Sequence, residues 1–154
     1  MPTSIILTTL NARYMHTAFG LRYLLANMAE LQAQTKLMEF TIQELPINIV
    51  EQLLESKPSI IGFSVYIWNV AEVSQTIALL KQIAPDVMIV LGGPEVSHHP
   101  DVPAVATLAD YVISGAGEVS FPALCRQLLL KEKTEKKFID GQTLPLEQLV
   151  LPYD

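Results

Sequence analysis

The sequence of 154 residues is poor in cysteine and in charge, and each shortage excludes a class of protein. Its one cysteine, Cys125, cannot close an intrachain disulfide or build a multi-cysteine zinc or iron–sulfur site by itself. Charged residues make up only 17% of the chain and apolar residues 50%, which excludes a disordered segment and a charged coiled coil. The length fits one domain with a hydrophobic core.

Basic residues and long apolar runs are also scarce. Lys and Arg number 10 against 16 Asp and Glu, so the net charge is -6 and a strongly basic face is not expected. This argues against nucleic acid or an anionic membrane surface as a partner. No apolar run approaches the roughly 18 to 20 residues of a membrane span, and no signal peptide is evident at the N-terminus. We expect a cytoplasmic protein without a membrane span.

Several familiar site motifs are missing. The chain has no G-x-x-x-x-G-K-[ST] phosphate loop, no G-x-G-x-x-G after the first predicted strand and no G-x-S-x-G hydrolase elbow. A phosphoacceptor domain would need acidic residues after strands one and three and a Lys ending strand five. The sequence has Asn11, Ser64 and Ser114 there instead. These absences exclude the corresponding sites.

Short apolar runs alternate along the chain with segments of helical period. Five runs predict strands, at 4–9, 37–42, 60–65, 87–91 and 111–114. The apolar stripes between them, which include Leu24 and Phe121, predict helices within 21–31, 47–54, 70–84, 103–108 and 121–129, and we assign all of them to the core. The order predicts an α/β fold, a flavodoxin-like (Rossmann-like) doubly wound sheet of five parallel strands in the order 2-1-3-4-5, with helices on both faces. We expect this domain over residues 1–131 and a linker over 132–154.

The loops at the carboxyl edge of such a sheet are where ligands bind, and two of them carry unusual side chains. After strand one, Arg13 and His16 offer a fixed charge and a metal-ligand side chain, with a solvent-facing loop as the alternative. After strand three, Tyr66 and Trp68 either fold into the core or form a platform for a flat ligand or partner, and we favour the platform. Asn69 is the expected cap of the next helix.

Glycines mark the ends of strands four and five. Gly92 and Gly93 would let a ligand approach the backbone, although the pair also suits a tight turn. Gly115 and Gly117 again leave the backbone bare before a helix, where Glu118 would complement the helix dipole. An ordinary N-cap turn is the alternative for this loop.

Together these loops resemble the cobalamin-binding domain found at the N-terminus of many radical S-adenosylmethionine proteins. That family includes the anaerobic magnesium-protoporphyrin ester cyclases and related methyltransferases. The resemblance covers essentially the whole chain, and its most distinctive segment is Gly-Gly-Pro-Glu at 92–95. The matching segments are 10–14 with His16, 20–24, 61–69, 91–97 and 115–118, and the lead-in to the radical domain ends at 151–153.

The resemblance implies a cobalamin held over the carboxyl edge, with its nucleotide tail reaching down beside strands three and four. Ser64 and the backbone of Gly92 and Gly93 would contact the tail. Four residues would lie against or beside the corrin: Tyr66, Ile67, Trp68 and Asn69. The other implied cofactor contacts are Asn11, Ala12, Arg13, Tyr14, His16, Pro94, Glu95, Val96, Gly115, Gly117 and Glu118.

The segment around His16 departs from the pattern of family members that give cobalt a histidine ligand. Those proteins carry D-x-H-x-x-G after strand one, whereas Tyr14 stands here in the acidic position and Gly20 lies one residue further on. A ligating imidazole normally leans on a carboxylate or carbonyl. We therefore expect cobalamin without a histidine ligand, and no protein metal site.

The resemblance also implies that the intact protein is a radical S-adenosylmethionine enzyme of methyltransferase or cyclase type. Its iron–sulfur cluster and S-adenosylmethionine would bind in a domain absent from these residues. This chain should have no catalysis of its own, since it lacks the three clustered cysteines of that site. Two alternatives stay open: a flavodoxin-like regulatory or protein-interaction module anchored by Trp68 and Tyr66, and a flavin carrier.

Overall fold

A six-stranded parallel sheet forms the centre of the computed structural model, which describes residues 3–12, 19–93, 104–115, 117–132 and 137–141. The strand order is β2-β1-β3-β4-β5-β6. The strands are β1 Ile5–Asn11, β2 Thr35–Thr41, β3 Ile60–Ser64, β4 Met88–Gly92, β5 Tyr111–Ser114 and β6 Phe138–Asp140. The flavodoxin-like class and the order of the first five strands are confirmed.

The prediction of five strands is one strand short, because β6 lies within the segment predicted as a linker. Phe138 pairs with Val112 and Asp140 with Ser114, both in parallel register. The Ser120 hydroxyl also donates to the Asp140 carbonyl oxygen at 3.2 Å. Three residues after a polar run are too short for a periodic signal, so the sequence pattern could not indicate this strand.

In the part of the chain that the structure describes, four α-helices and two 3₁₀ helices connect the strands. They are α1 Phe19–Ala26, α2 Pro46–Leu54, α3 Val70–Ile83 and α4 Ser120–Leu129, with 3₁₀ helices at Ala29–Gln34 and Ala104–Thr107. Two helix predictions are therefore wrong in part. The one over 21–31 ends early because Ala29 takes a φ of +53°, which an α-helix cannot continue through, and the one over 103–108 is a short 3₁₀ helix. Among the described residues, no helix combines the length and the apolar character needed to cross a membrane.

The two faces of the sheet carry separate hydrophobic cores. Alternation along β1 sends Ile6 and Leu10 to the core that includes residues of α2 and α3, and Ile5 and Leu7 to the core that includes residues of α1 and α4. Because both faces are buried, the strands lack an alternating polar pattern. Cys125 is fully buried in the second core, and burial raises the pKa of its thiol far above the ordinary value. This cysteine is chemically inert at neutral pH.

The register brings the ends of neighbouring strands to one edge. Ser64 at the end of β3 lies opposite Gly92 at the end of β4. At the opposite edge, Asp110 lies just before β5 and accepts hydrogen bonds from the Ile89 N–H of β4 at 2.7 Å and from the Lys81 ammonium of α3 at 2.6 Å. The ion pair between Lys81 and Asp110 therefore ties α3 to the sheet at the amino edge, whereas the predicted contacts lie in loops at the carboxyl edge.

Candidate functional site

A cavity of about 180 Å³ opens at the carboxyl edge, on the face covered by α1 and α4. Its walls are the ends of β3, β4 and β5 and the first turns of the two helices. The apolar side chains that line it include Leu7, Leu21, Leu24, Val90, Ile113 and Phe121. Of the seven glycines in the chain, six line this cavity: Gly20, Gly62, Gly92, Gly93, Gly115 and Gly117.

Two of these glycines are required by the packing of the protein itself. A Cβ on Gly62 would lie 3.1 Å from the Phe121 ring, so a side chain there would push the ring away from β3. Gly93 has a φ of +102°, and a Cβ there would come within 2.6 Å of the Val65 carbonyl oxygen. A side chain at either position would disturb the fold whether or not a ligand is present.

The other lining glycines leave room that the protein does not use, and Gly92 shows this most clearly. A Cβ on Gly92 would meet no protein atom closer than the Ile113 carbonyl oxygen at 3.9 Å. A Cβ on Gly20 or Gly115 would have nothing within 4 Å, although the φ of +76° at Gly115 favours glycine on backbone grounds. The missing side chain at Gly92 therefore keeps the cavity open.

Two polar side chains stand on the described part of the cavity wall. Ser64 ends β3 and is 8% exposed. The Oε2 atom of Glu118, in the turn before α4, is shielded from solvent and has no hydrogen-bond partner in the described part of the chain. The described lining includes no Lys or Arg. The described side chains of the wall are therefore mostly apolar, and one carboxylate oxygen among them lacks a donor.

An aromatic pair lies on the neighbouring loop, between β3 and α3. The rings of Tyr66 and Trp68 stack with centroids 4.4 Å apart and planes 8° from parallel. Trp68 is 38% exposed and Ile67 between them is 79% exposed. The loop therefore does not fold into the core, which is the alternative the sequence left open, and it offers apolar surface at the carboxyl edge.

Asn69 fastens this loop to β1. Its side chain is completely buried: Oδ1 accepts from the Tyr66 N–H at 2.8 Å, and Nδ2 donates to the Leu10 carbonyl oxygen at 3.0 Å. The Nδ2 group also lies 3.2 Å from the Thr9 hydroxyl oxygen. Asn69 does stand at the N-cap of α3, but its side chain makes no capping bond there, so that part of the prediction is wrong. The amide holds the aromatic pair in place instead.

The end of β1 is tied to β2. Asn11 donates from Nδ2 to the Glu39 carboxylate at 3.2 Å, and Arg22 of α1 pairs with the same carboxylate at 3.1 Å. Asn11 is 8% exposed and the next residue, Ala12, is half-buried. Neither residue lines the cavity, so the structure does not bring them together with the glycines.

The predicted contacts thus divide into groups. Six of them line one cavity: Ser64, Gly92, Gly93, Gly115, Gly117 and Glu118. Tyr66, Ile67 and Trp68 share the adjacent loop, with Asn69 buried behind it. The remaining predictions lie outside the described residues: Arg13, Tyr14, His16, Pro94, Glu95 and Val96.

Sequence reasoning missed Gly20 and Gly62 as site residues and assigned Leu24 and Phe121 to core alone. A signal was available for Gly62, because a lone glycine inside an apolar strand indicates close approach of another group. For Leu24 and Phe121 the core assignment is correct, but it hides their second role as cavity wall. No periodicity separates a side chain that fills a core from one that borders a cavity.

A family model covers most of the chain. The model described as "B12 binding domain" matches residues 5–125. The cobalamin-dependent radical SAM methyltransferase TokK of Streptomyces tokunonensis is 33% identical over 87 residues, which is 54% of this chain and 12% of that protein. The 2-(S-pantetheinyl)-carbapenam-3-carboxylate methyltransferase of Streptantibioticus cattleyicolor is 30% identical over 91 residues, 58% of this chain and 12% of that protein. The chain therefore spans about an eighth of the length of these curated relatives.

Among solved structures, the chain is similar to the cobalamin-dependent S-adenosylmethionine radical enzyme OxsB with aqua-cobalamin and S-adenosylmethionine bound. The TM-score is 0.72 at 16% identity, over 96% of this chain and 23% of that one. A cobalamin-binding protein from Desulfitobacterium hafniense gives a TM-score of 0.56 at 20% identity, over 81% of this chain and 58% of that one. At these identities the likeness establishes the fold.

Proposed function

The chain belongs to the B12-binding domain family, and we propose that its cavity takes the nucleotide tail of cobalamin while the corrin lies over the carboxyl edge of the sheet. The observation that carries this proposal is the space at Gly92, which the packing of the protein does not require. A cavity kept open by glycines at adjoining strand ends suits a ligand that must enter between the strands and the helices. Ser64 and the backbone of Gly92 and Gly93 contact the tail there.

The cavity wall matches the tail in shape and polarity. The base of the nucleotide is flat and apolar, and Leu7, Val90, Ile113 and Phe121 supply apolar surface to it. The Phe121 ring lies against Gly62 in the ligand-free protein, so this wall is formed before the ligand arrives. A preformed wall lowers the entropic cost of binding.

The aromatic pair Tyr66 and Trp68, with Ile67, provides apolar surface beside the corrin. Asn69 holds this loop against β1 through buried hydrogen bonds, so little conformational freedom is lost on binding.

The cobalt would receive no histidine ligand from this chain, because Tyr14 stands where the carboxylate that supports such a ligand would be. Cobalamin supplies the reactive cobalt centre, and the protein residues bind and orient it.

The bound cobalamin serves a radical S-adenosylmethionine domain outside these 154 residues, in a protein of methyltransferase or cyclase type. Two observations support this part of the proposal. TokK is described as a cobalamin-dependent radical SAM methyltransferase, and the chain covers 12% of it. The one cysteine of the chain, Cys125, is buried and inert, so the iron–sulfur cluster and S-adenosylmethionine belong to that other domain.

The test is a titration of the purified chain with hydroxocobalamin, followed by the visible bands of the corrin and by co-elution in gel filtration. We expect saturable spectral change and co-elution of one cobalamin per chain. A parallel titration with flavin mononucleotide tests the flavin-carrier alternative. No spectral change and no co-elution at high cobalamin concentration would overturn the proposal, as would tighter binding of the flavin.

A further inference from the structure

We infer that Glu118 accepts a hydrogen bond from a sugar hydroxyl of the nucleotide tail and thereby selects a tail that carries such a donor. The inference rests on the proposed function, since it assigns a contact within the same cavity. It concerns one atom, the Oε2 of Glu118, which lies at the cavity wall shielded from solvent and without a donor in the described part of the chain.

An unpartnered carboxylate oxygen in an apolar wall is costly for the free protein. A buried polar atom without a hydrogen bond loses its hydration and gains nothing in return, and a charged one loses more. Ligand binding can recover this loss only if the ligand brings a donor to the oxygen. The cavity therefore favours a ligand with a hydrogen-bond donor at the Glu118 end.

No cation reaches this carboxylate from the described cavity wall. The cavity lining that the structure describes contains no Lys or Arg. Both arginines placed in the structure are engaged elsewhere, Arg22 with Glu39 at 3.1 Å and Arg126 with Glu30 at 2.6 Å. The partner of Glu118 is therefore expected to come from the ligand.

The chemistry of the tail identifies the donor. An ionised carboxylate accepts hydrogen bonds and donates none, and it repels a phosphate oxygen. The alkylated benzimidazole base has no N–H, so the ribose hydroxyls are the donors of the nucleotide. A hydroxyl-to-carboxylate bond is charge-assisted, and it is strengthened by the low dielectric of an apolar wall.

The experiment compares two ligands that differ only in the nucleotide. Hydroxocobalamin carries it, whereas aquacobinamide keeps the corrin and its amide side chains but lacks the base, the sugar and the phosphate. Dissociation constants for both are measured with the wild-type chain and with Glu118→Gln and Glu118→Ala. The matched control is Glu51→Gln, which removes the same charge from an exposed position on α2.

We expect Glu118→Gln to weaken hydroxocobalamin binding by about 10-fold, Glu118→Ala to weaken it further, and neither variant to change cobinamide binding by more than about 2-fold. The thermal midpoint of the free variants should not fall, because the Oε2 atom has no hydrogen bond to lose within the described part of the chain. Unchanged hydroxocobalamin binding would overturn the inference, and so would an equal loss for both ligands, which would place the donor on the corrin. A wild-type chain that binds neither ligand would contradict the proposed function itself.

Discussion

The two faces of the sheet are built from the same strands but end differently at the carboxyl edge. The face packed against α2 and α3, called the filled face below, is covered by fully buried aliphatic side chains such as Leu53, Ile77 and Leu80. The face packed against α1 and α4, called the open face below, carries the cavity at the carboxyl edge, which Phe121 borders and glycines line. The difference shows that the site is formed mainly by the absence of side chains at its glycines. The described cavity wall carries one charged group, Glu118.

The largest expected effect comes from the filled face. Ile77→Ala deletes a fully buried side chain from the core and should lower the free energy of unfolding by about 2–5 kcal/mol, with Ile77→Val costing about 0.5–1.5 kcal/mol. Urea unfolding gives these values. Hydroxocobalamin affinity should stay at the wild-type value wherever the variant is folded, because Ile77 does not line the cavity. Weakened binding by a folded variant would show that the two faces are not independent.

A smaller loss of stability is expected from a change in the loop between β3 and α3. Asn69→Ala removes the partners of the Tyr66 N–H and the Leu10 carbonyl and should cost about 1–3 kcal/mol of stability. Trp68 is the only tryptophan, so its fluorescence reports whether the aromatic pair stays stacked. Asn69→Asp keeps the acceptor for the Tyr66 N–H but replaces the donor to the Leu10 carbonyl oxygen by a buried acceptor, so it should be at least as destabilising as Asn69→Ala. An unchanged emission spectrum in Asn69→Ala would contradict the positioning role of Asn69.

The smallest effect concerns the exposed ion pair that links α4 to the Ala29–Gln34 helix on the open face. The hydrogen bond from Arg126 holds the pKa of the Glu30 carboxyl below its ordinary value. A lowered folded-state pKa stabilises the protein above the ordinary pKa, and that contribution is lost as the pH falls through the folded value. Arg126→Gln should therefore be slightly less stable than wild type near neutral pH and equal to it in acid. A stability gap that widens in acid would contradict this assignment.

The sequence was sufficient for most of the fold because its strands are apolar runs and its helices are periodic. It failed where a single residue or a long-range pairing decides the outcome. The φ of +53° at Ala29 ends the first helix without a glycine or proline to signal it. β6 depends on pairing with β5, and its three residues, Phe138–Asp140, hold no pattern of their own.

For the site, the sequence located the correct edge of the sheet but did not show why each residue type is needed at its position. Gly92 and Gly93 are adjacent glycines with the same expected role, yet only Gly93 is needed by the backbone around Val65. Asn69 has the residue type of a helix cap, whereas its amide bonds to β1, some 60 residues away in the chain. Such distinctions depend on atoms brought together by folding, which residue types and spacing do not encode.

The most direct test of the account is the affinity of Gly92→Val for hydroxocobalamin, measured beside its stability. The valine side chain would occupy space that the protein leaves empty, so we predict about a 100-fold or greater loss of affinity with an unfolding free energy close to that of wild type. Gly141→Val makes the same change at the one glycine that does not line the cavity and should bind as wild type does. A folded Gly92→Val chain that binds hydroxocobalamin at wild-type affinity would contradict the claim that this cavity holds the cofactor.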